Sequence, residues 1–154
     1  MDVMRAVKER QQGNYPVSEQ LLRTFVAADP YDPLAHFELA MTLGIQGRHR
    51  EAAAEYREAL RGRLSKNVEE RAIIAYSSTL RALGEHLRAY RLLADAVARM
   101  PGNAGIRSLL GLVQCKLGMY RESVQTLTDV IVSTSDSDDV QRLSATLRHY
   151  ADDM

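Results

Sequence analysis

Gly13, Gly47, Gly84 and Gly118 recur at intervals of 34, 37 and 34 residues, and the residues around each glycine recur with it. A period of this length belongs to tandem helical repeats, in which each unit covers the apolar face of the next. The column seven residues before each glycine is small throughout: Ala6, Ala40, Ser77 and Gly111. So is the column five residues after it: Ser18, Ala52, Ala89 and Ser123. Nine residues after stand the large side chains Leu22, Tyr56, Leu93 and Leu127. Two residues after stands a ring: Tyr15, His49, His86 or Tyr120. Two helices approach closely only where both carry small side chains, and a large residue then fills the adjoining groove. The glycine closes the first helix of each pair, because a left-handed residue there carries no Cβ penalty.

First helices are therefore expected near 1–12, 33–46, 67–83 and 104–117, and second helices near 16–28, 49–62, 86–99 and 120–133. A last helix is expected over about 137–151, with the stripe Val140, Leu143, Leu147 and Tyr150 turned toward the fourth pair. Asp29-Pro30 and Met100-Pro101 fall where second helices should stop, since proline disfavours helix in the residue before it. The longer interval places three extra residues around 61–67, either in a longer turn or in a longer third first-helix. Leu, Ala, Arg and Glu dominate the chain, and no alternating β-branched run argues for a sheet.

The segment AHFELAMTLGIQGRHREAAAEYREAL carries a Leu39-Ala40 pair, Gly47, Ala52, Tyr56 and Ala59, with Pro30 and Pro101 at repeat ends. This pattern resembles the tetratricopeptide repeat. AYSSTLRALGEHLRAYRLLADAV resembles more specifically the small bacterial group 5 tetratricopeptide proteins. The likeness covers essentially the whole chain. It implies an all-α, right-handed solenoid of stacked antiparallel helix pairs with a C-terminal capping helix. As a single domain over 1–154, the pairs would occupy about 1–30, 31–64, 65–101 and 102–135, with the cap at about 137–151. The aromatic usual near the start of the first helix is here His36, Ile73 or Arg107.

The chain of 154 residues carries 20 basic and 20 acidic side chains, a balance that argues against binding nucleic acid by phosphate neutralisation. One cysteine, Cys115, excludes an internal disulfide and a zinc cluster. The N-terminal residues lack a signal-peptide core, and no stretch has the roughly 18 apolar residues of a membrane span. A soluble cytoplasmic protein without membrane attachment is the expectation. His36, His49, His86 and His149 form no metal-spacing motif. The rings of His49 and His86 are expected to pack against a neighbouring helix with one nitrogen solvated. Cys115 has no activating partner nearby, and the glycines stand singly rather than in a phosphate loop. The expectation is therefore a protein that is not an enzyme, with no catalytic residues, cofactor or metal.

The resemblance implies a concave face that receives a peptide or partner segment. Carried over position by position, its groove residues are Val3, Val7 and Arg10, then Leu34, Phe37, Met41 and Ile45. The third pair supplies Arg71, Ile74, Ser78 and Arg81, and the fourth Ser108, Leu112, Cys115 and Lys116. Leu34, Phe37, Met41 and Ile45 would form an apolar patch beside the cations Arg71, Arg81 and Lys116. Such a face suits a protein or peptide with an apolar anchor and acidic groups. The alternatives are a homodimer that buries this apolar surface and a sensor that takes a small ligand or peptide between repeats. The asparagine and lysine clamp of chaperone-binding relatives is missing: Glu38, Ala75 and Leu109 stand in its place.

Overall fold

The structure, a computed structural model, describes residues 2–154. Among the described residues every regular element is a helix. The chain forms two compact units, residues 1–85 and 86–154. The first holds α1 (Val3–Gln11), α2 (Tyr15–Ala28), α3 (Pro33–Ile45), α4 (His49–Arg61) and α5 (Lys66–Ala82). The second holds α6 (His86–Arg99), α7 (Ala104–Lys116), α8 (Tyr120–Thr134), α9 (Asp138–Arg142) and α10 (Ser144–Asp152).

The glycine beat is a beat of turns. Gly13, Gly47, Gly84 and Gly118 have φ of 82°, 74°, 74° and 77°, in the left-handed region. Each donates its N–H to the carbonyl three residues back at 3.0 Å. The next residue donates to the carbonyl five back: Asn14 to Glu9, Arg48 to Leu43, Glu85 to Leu80 and Met119 to Gln114. That pair of bonds is a Schellman closure, which satisfies carbonyls the helix end would otherwise orphan. A Cβ on any of these four glycines would meet nothing within 4 Å, so conformation and not crowding requires them.

The small columns are contact columns. In the second unit the Ser123 hydroxyl donates to the Gly111 carbonyl at 2.7 Å, which fixes how closely α8 lies on α7. A Cβ on Gly111 would lie 2.7 Å from both Cγ and Cδ2 of Leu127. In the first unit Ala6, Ala40, Ser18 and Ala52 have no exposure, and Leu22 and Tyr56 fill the grooves beside them. The side chains of Asp32 and Asn103 cap α3 and α7 by accepting from backbone N–H groups of their first turns.

The extra residues of the third interval lie in the helix. The turns 29–32, 62–65 and 100–103 are of one length, whereas α5 has 17 residues against 13 in α3 and α7. Gly62 sits in the second of these turns because a Cβ there would strike the Pro33 ring at 2.6 Å.

The C-terminal segment departs from expectation. It is two helices broken at Leu143, whose N–H is shared between the carbonyls of Asp139 and Val140. Leu143 and Tyr150, expected to face the fourth pair, are exposed, and the buried residue of this segment is Ala151. Polar contacts hold α10 to α8 instead: Arg121 to the Asp152 carbonyl at 2.7 Å, and Arg148 to Asp129 at 3.0 Å.

Candidate functional site

In the first unit α3 is surrounded. It packs against α1, α2, α4 and α5, and every residue from Ala35 to Ala40 is buried. Its exposed strip is narrow: Leu34 and Ile45 are exposed and Met41 half-buried. On α5, Arg71, Ile74, Ser78 and Arg81 recur at helical spacing and are all exposed. Thus α3 and α5 together present one face that mixes aliphatic chains with two guanidinium groups.

Phe37 is a correction. It was expected to line the groove, but it has no exposed area. Its ring lies 6.4 Å from that of Tyr56, and the Arg71 guanidinium covers it at 5.3 Å from the centroid. Phe37 therefore supports the face from beneath and holds Arg71 over it. Arg10, also expected in the groove, is buried as well. It bonds the Glu38 carboxylate at 2.6 Å, the Glu38 carbonyl at 3.1 Å and the Thr42 hydroxyl at 3.4 Å.

An open cleft of about 370 Å³ lies in this face. Met41, Gly44 and Ile45 of α3 form one wall, and Ala75, Ser78, Thr79, Arg81 and Ala82 of α5 the other. His49 and Tyr56 of α4 complete the lining. The Tyr56 hydroxyl donates to the Met41 sulfur at 3.2 Å, and its ring stacks on Tyr76 at 5.8 Å. Burial pushes the Tyr56 phenol up to about 12, so it stays a neutral donor at physiological pH. Gly44 lines the cleft, and a Cβ there would lie 3.9 Å from the Tyr56 oxygen, an ordinary contact.

Four of the expected residues, Met41, Ile45, Ser78 and Arg81, meet around this cleft. Leu34, Arg71 and Ile74 are exposed on the same two helices but do not line it. Leu112 and Lys116 are exposed one turn apart on α7, in the second unit, where Cys115 is exposed too. Sequence reasoning missed His49 and Tyr56 as cleft residues. Both belong to the repeating columns, which fixed them as packing residues; only for the His49 ring was a solvated nitrogen expected, and neither was placed beside the groove. The Nδ1 atoms of His49 and His86 are buried without a hydrogen-bond partner.

Beside the face, a charged cluster joins α2 to the start of α4. Glu19 accepts from Arg23 at 2.8 Å, Arg48 at 2.7 Å and Gln46 at 3.3 Å. Burial pushes its carboxyl upward, but these three donors outweigh it and hold the group below the usual carboxylate range. Among the described residues, no group of three or more His, Cys, Asp and Glu side chains is arranged to hold a metal ion. No helix among them is long and apolar enough to cross a membrane.

Comparison with known proteins agrees with this architecture. The family model described as tetratrico peptide repeat matches residues 33–154. No curated protein matches the sequence. Among solved structures, a chain of the APC/C hetero-tetramer Cut9–Hcn1 superposes with a TM-score of 0.69 at 16% identity. That match takes in 97% of this chain and 29% of the other, so this chain spans under a third of its length. MamA superposes with a TM-score of 0.67 at 16% identity, over 98% of this chain and 93% of that one. YrrB, described as a TPR protein with an unusual peptide-binding site, gives 0.65 at 12% identity, over 97% and 89%. At these identities the likeness is one of fold, the all-α helix-pair solenoid expected from the repeat.

Proposed function

The chain belongs to the tetratricopeptide repeat family, and from that premise we propose that it is a non-enzymatic interaction module whose α3–α5 face receives a peptide or partner segment. Proteins of this fold mediate protein–protein contacts: YrrB is described with a peptide-binding site, and Cut9 was solved together with Hcn1. The observation that carries the reading is the cleft between α3 and α5. It offers Met41 and Ile45 to an apolar side chain, above the buried Tyr56. Methionine adapts to irregular apolar shapes. Arg81 lies at the rim and Arg71 on the same helix, and neither has a carboxylate partner among the described residues. A guanidinium so placed takes a carboxylate through two parallel N–H···O bonds. The occupant is thus an acidic peptide with one apolar anchor. In the second unit, Leu112 and Lys116 pair an exposed apolar chain with a cation on α7.

Selection from a displayed random-peptide library tests this. Wild-type protein should enrich sequences that combine a large apolar residue with Asp or Glu, and Arg81→Glu should bind the winners tenfold or more weakly, a loss of about 1.4 kcal/mol. Enrichment of sequences that bind Arg81→Glu and wild type equally would overturn the assignment. So would concentration-dependent dimerisation that buries Ile45 and Met41.

A further inference from the structure

His36 occupies the place near the start of α3 where an aromatic residue is usual in this repeat, and it is buried. Both ring nitrogens face acceptors. Nε2 lies 2.9 Å from the Pro30 carbonyl, in the turn that joins α2 to α3. Nδ1 lies 2.5 Å from Oε2 of Glu55, on α4. A carbonyl only accepts, so Nε2 carries a proton. An ionised carboxylate only accepts, so a second proton must lie between Nδ1 and Glu55. The cluster therefore holds one proton more than a neutral imidazole beside a carboxylate would.

We propose that this second proton closes a pH-dependent clasp between α3 and α4, the two helices of the second pair, and that the clasp opens when the proton leaves for water. With the proton bound, the ring ties the Pro30 turn and α4 to α3. Without it, the Nδ1 lone pair and a carboxylate oxygen confront each other, and the half-buried Glu55 side chain swings away.

The surroundings leave Glu55 as the partner that decides. Glu58 also acts on the ring from α4 but is itself paired with Arg61 at 2.8 Å. In the turn, Asp29 accepts from the Tyr31 N–H, and Asp32 caps α3. From α2, Arg23 is paired with Glu19 and Glu51, and Glu19 also takes Arg48 and Gln46 at the far end of α3. From α1, Arg10 is taken by Glu38, and from α5, Arg71 lies over the ring of Phe37. Burial lowers the affinity of His36 for its proton, and the Pro30 and Glu55 bonds reverse that, leaving the group above its ordinary 6.5. A histidine raised in the folded state contributes stability that is fully present below the unfolded value. That contribution is lost as pH rises through the folded one.

The test is a histidine-ring NMR titration of the full chain from pH 5 to 9, beside Glu55→Gln and His36→Phe. The resonance missing from His36→Phe should titrate above 6.5 and move toward 6.5 in Glu55→Gln. The thermal midpoint should fall further between pH 6 and 9 in wild type than in His36→Phe. A His36 that titrates at or below 6.5, or that Glu55→Gln leaves in place, overturns the clasp. Parallel loss of stability in wild type and His36→Phe overturns it too. If His36→Phe fails to fold, the wild-type and Glu55→Gln titrations decide alone.

Discussion

Arg10→Met removes a cation from a site where its carboxylate partner cannot reach water. The two side chains of the Arg10–Glu38 pair are 7% and 9% exposed, and the contact is 2.6 Å. The guanidinium also bonds the Glu38 carbonyl and the Thr42 hydroxyl, and Thr42 in turn meets the Ser18 hydroxyl at 3.1 Å. The pair therefore links α1 to α3 inside a polar core that continues to α2. Without Arg10, Glu38 is a buried charge with no counter-ion, a change that costs about 3–5 kcal/mol. Against a total stability of about 5–15 kcal/mol that is a large fraction. At about 2–4 °C per kcal/mol for a chain of this size, the melting temperature should fall by roughly 6–20 °C. The double variant Arg10→Met/Glu38→Met removes both charges and fills similar volume, so it should recover most of the loss. Urea unfolding followed by circular dichroism, read as midpoint at constant slope, measures all three. A cost of under about 1 kcal/mol for Arg10→Met, the worth of an exposed pair, would refute the burial argument. A double variant as unstable as the single one would refute the claim that an unpaired Glu38 is what costs.

Gly47→Ala puts a Cβ on a residue with φ of 74° and should destabilise by about 1–2 kcal/mol through strain alone, seen as a lower urea midpoint. Gly111→Ala sets a Cβ against the Leu127 branch point at 2.7 Å, and overpacking of about 1–3 kcal/mol should outweigh a helix-propensity gain of about 1 kcal/mol, lowering the melting temperature. Gly44→Ala, with room for its methyl, should raise stability by roughly 0.5–1 kcal/mol yet weaken peptide binding by narrowing the cleft; calorimetry and anisotropy together check both halves. Because Glu19 is held below its ordinary range, its bonds to Arg23 and Arg48 contribute stability above the unfolded value and lose it as pH falls through the folded one; Glu19→Gln should flatten acid unfolding in that window.

Much of the fold was legible because the repeat records local necessities. A left-handed turn needs glycine, and a close helix crossing needs a small residue on both sides; Gly118, Gly111 and Ser123 display both requirements in one helix pair. The site was legible only in part. Helical spacing put Met41, Ile45, Ser78 and Arg81 on facing stripes, and they do meet. It put Phe37 with them because periodicity on one helix does not count its neighbours, and α3 has four. Arg10 and Glu38 are charged, and charged residues are seldom buried unless paired. Their pairing joins residues 28 apart, which no local pattern reveals. The break at Leu143 carries neither proline nor glycine, so nothing in the local sequence marks it.

The proposal that α3 and α5 form the receiving face is tested most directly by methyl NMR of the full chain, titrated with a selected acidic peptide. The account predicts that the methyl signals of Met41, Ile45 and Ile74 shift together and saturably, and that Arg81→Glu abolishes the shifts. Saturable shifts confined to Ile131, Leu143 and Leu147, with Met41 and Ile45 unmoved, would contradict it.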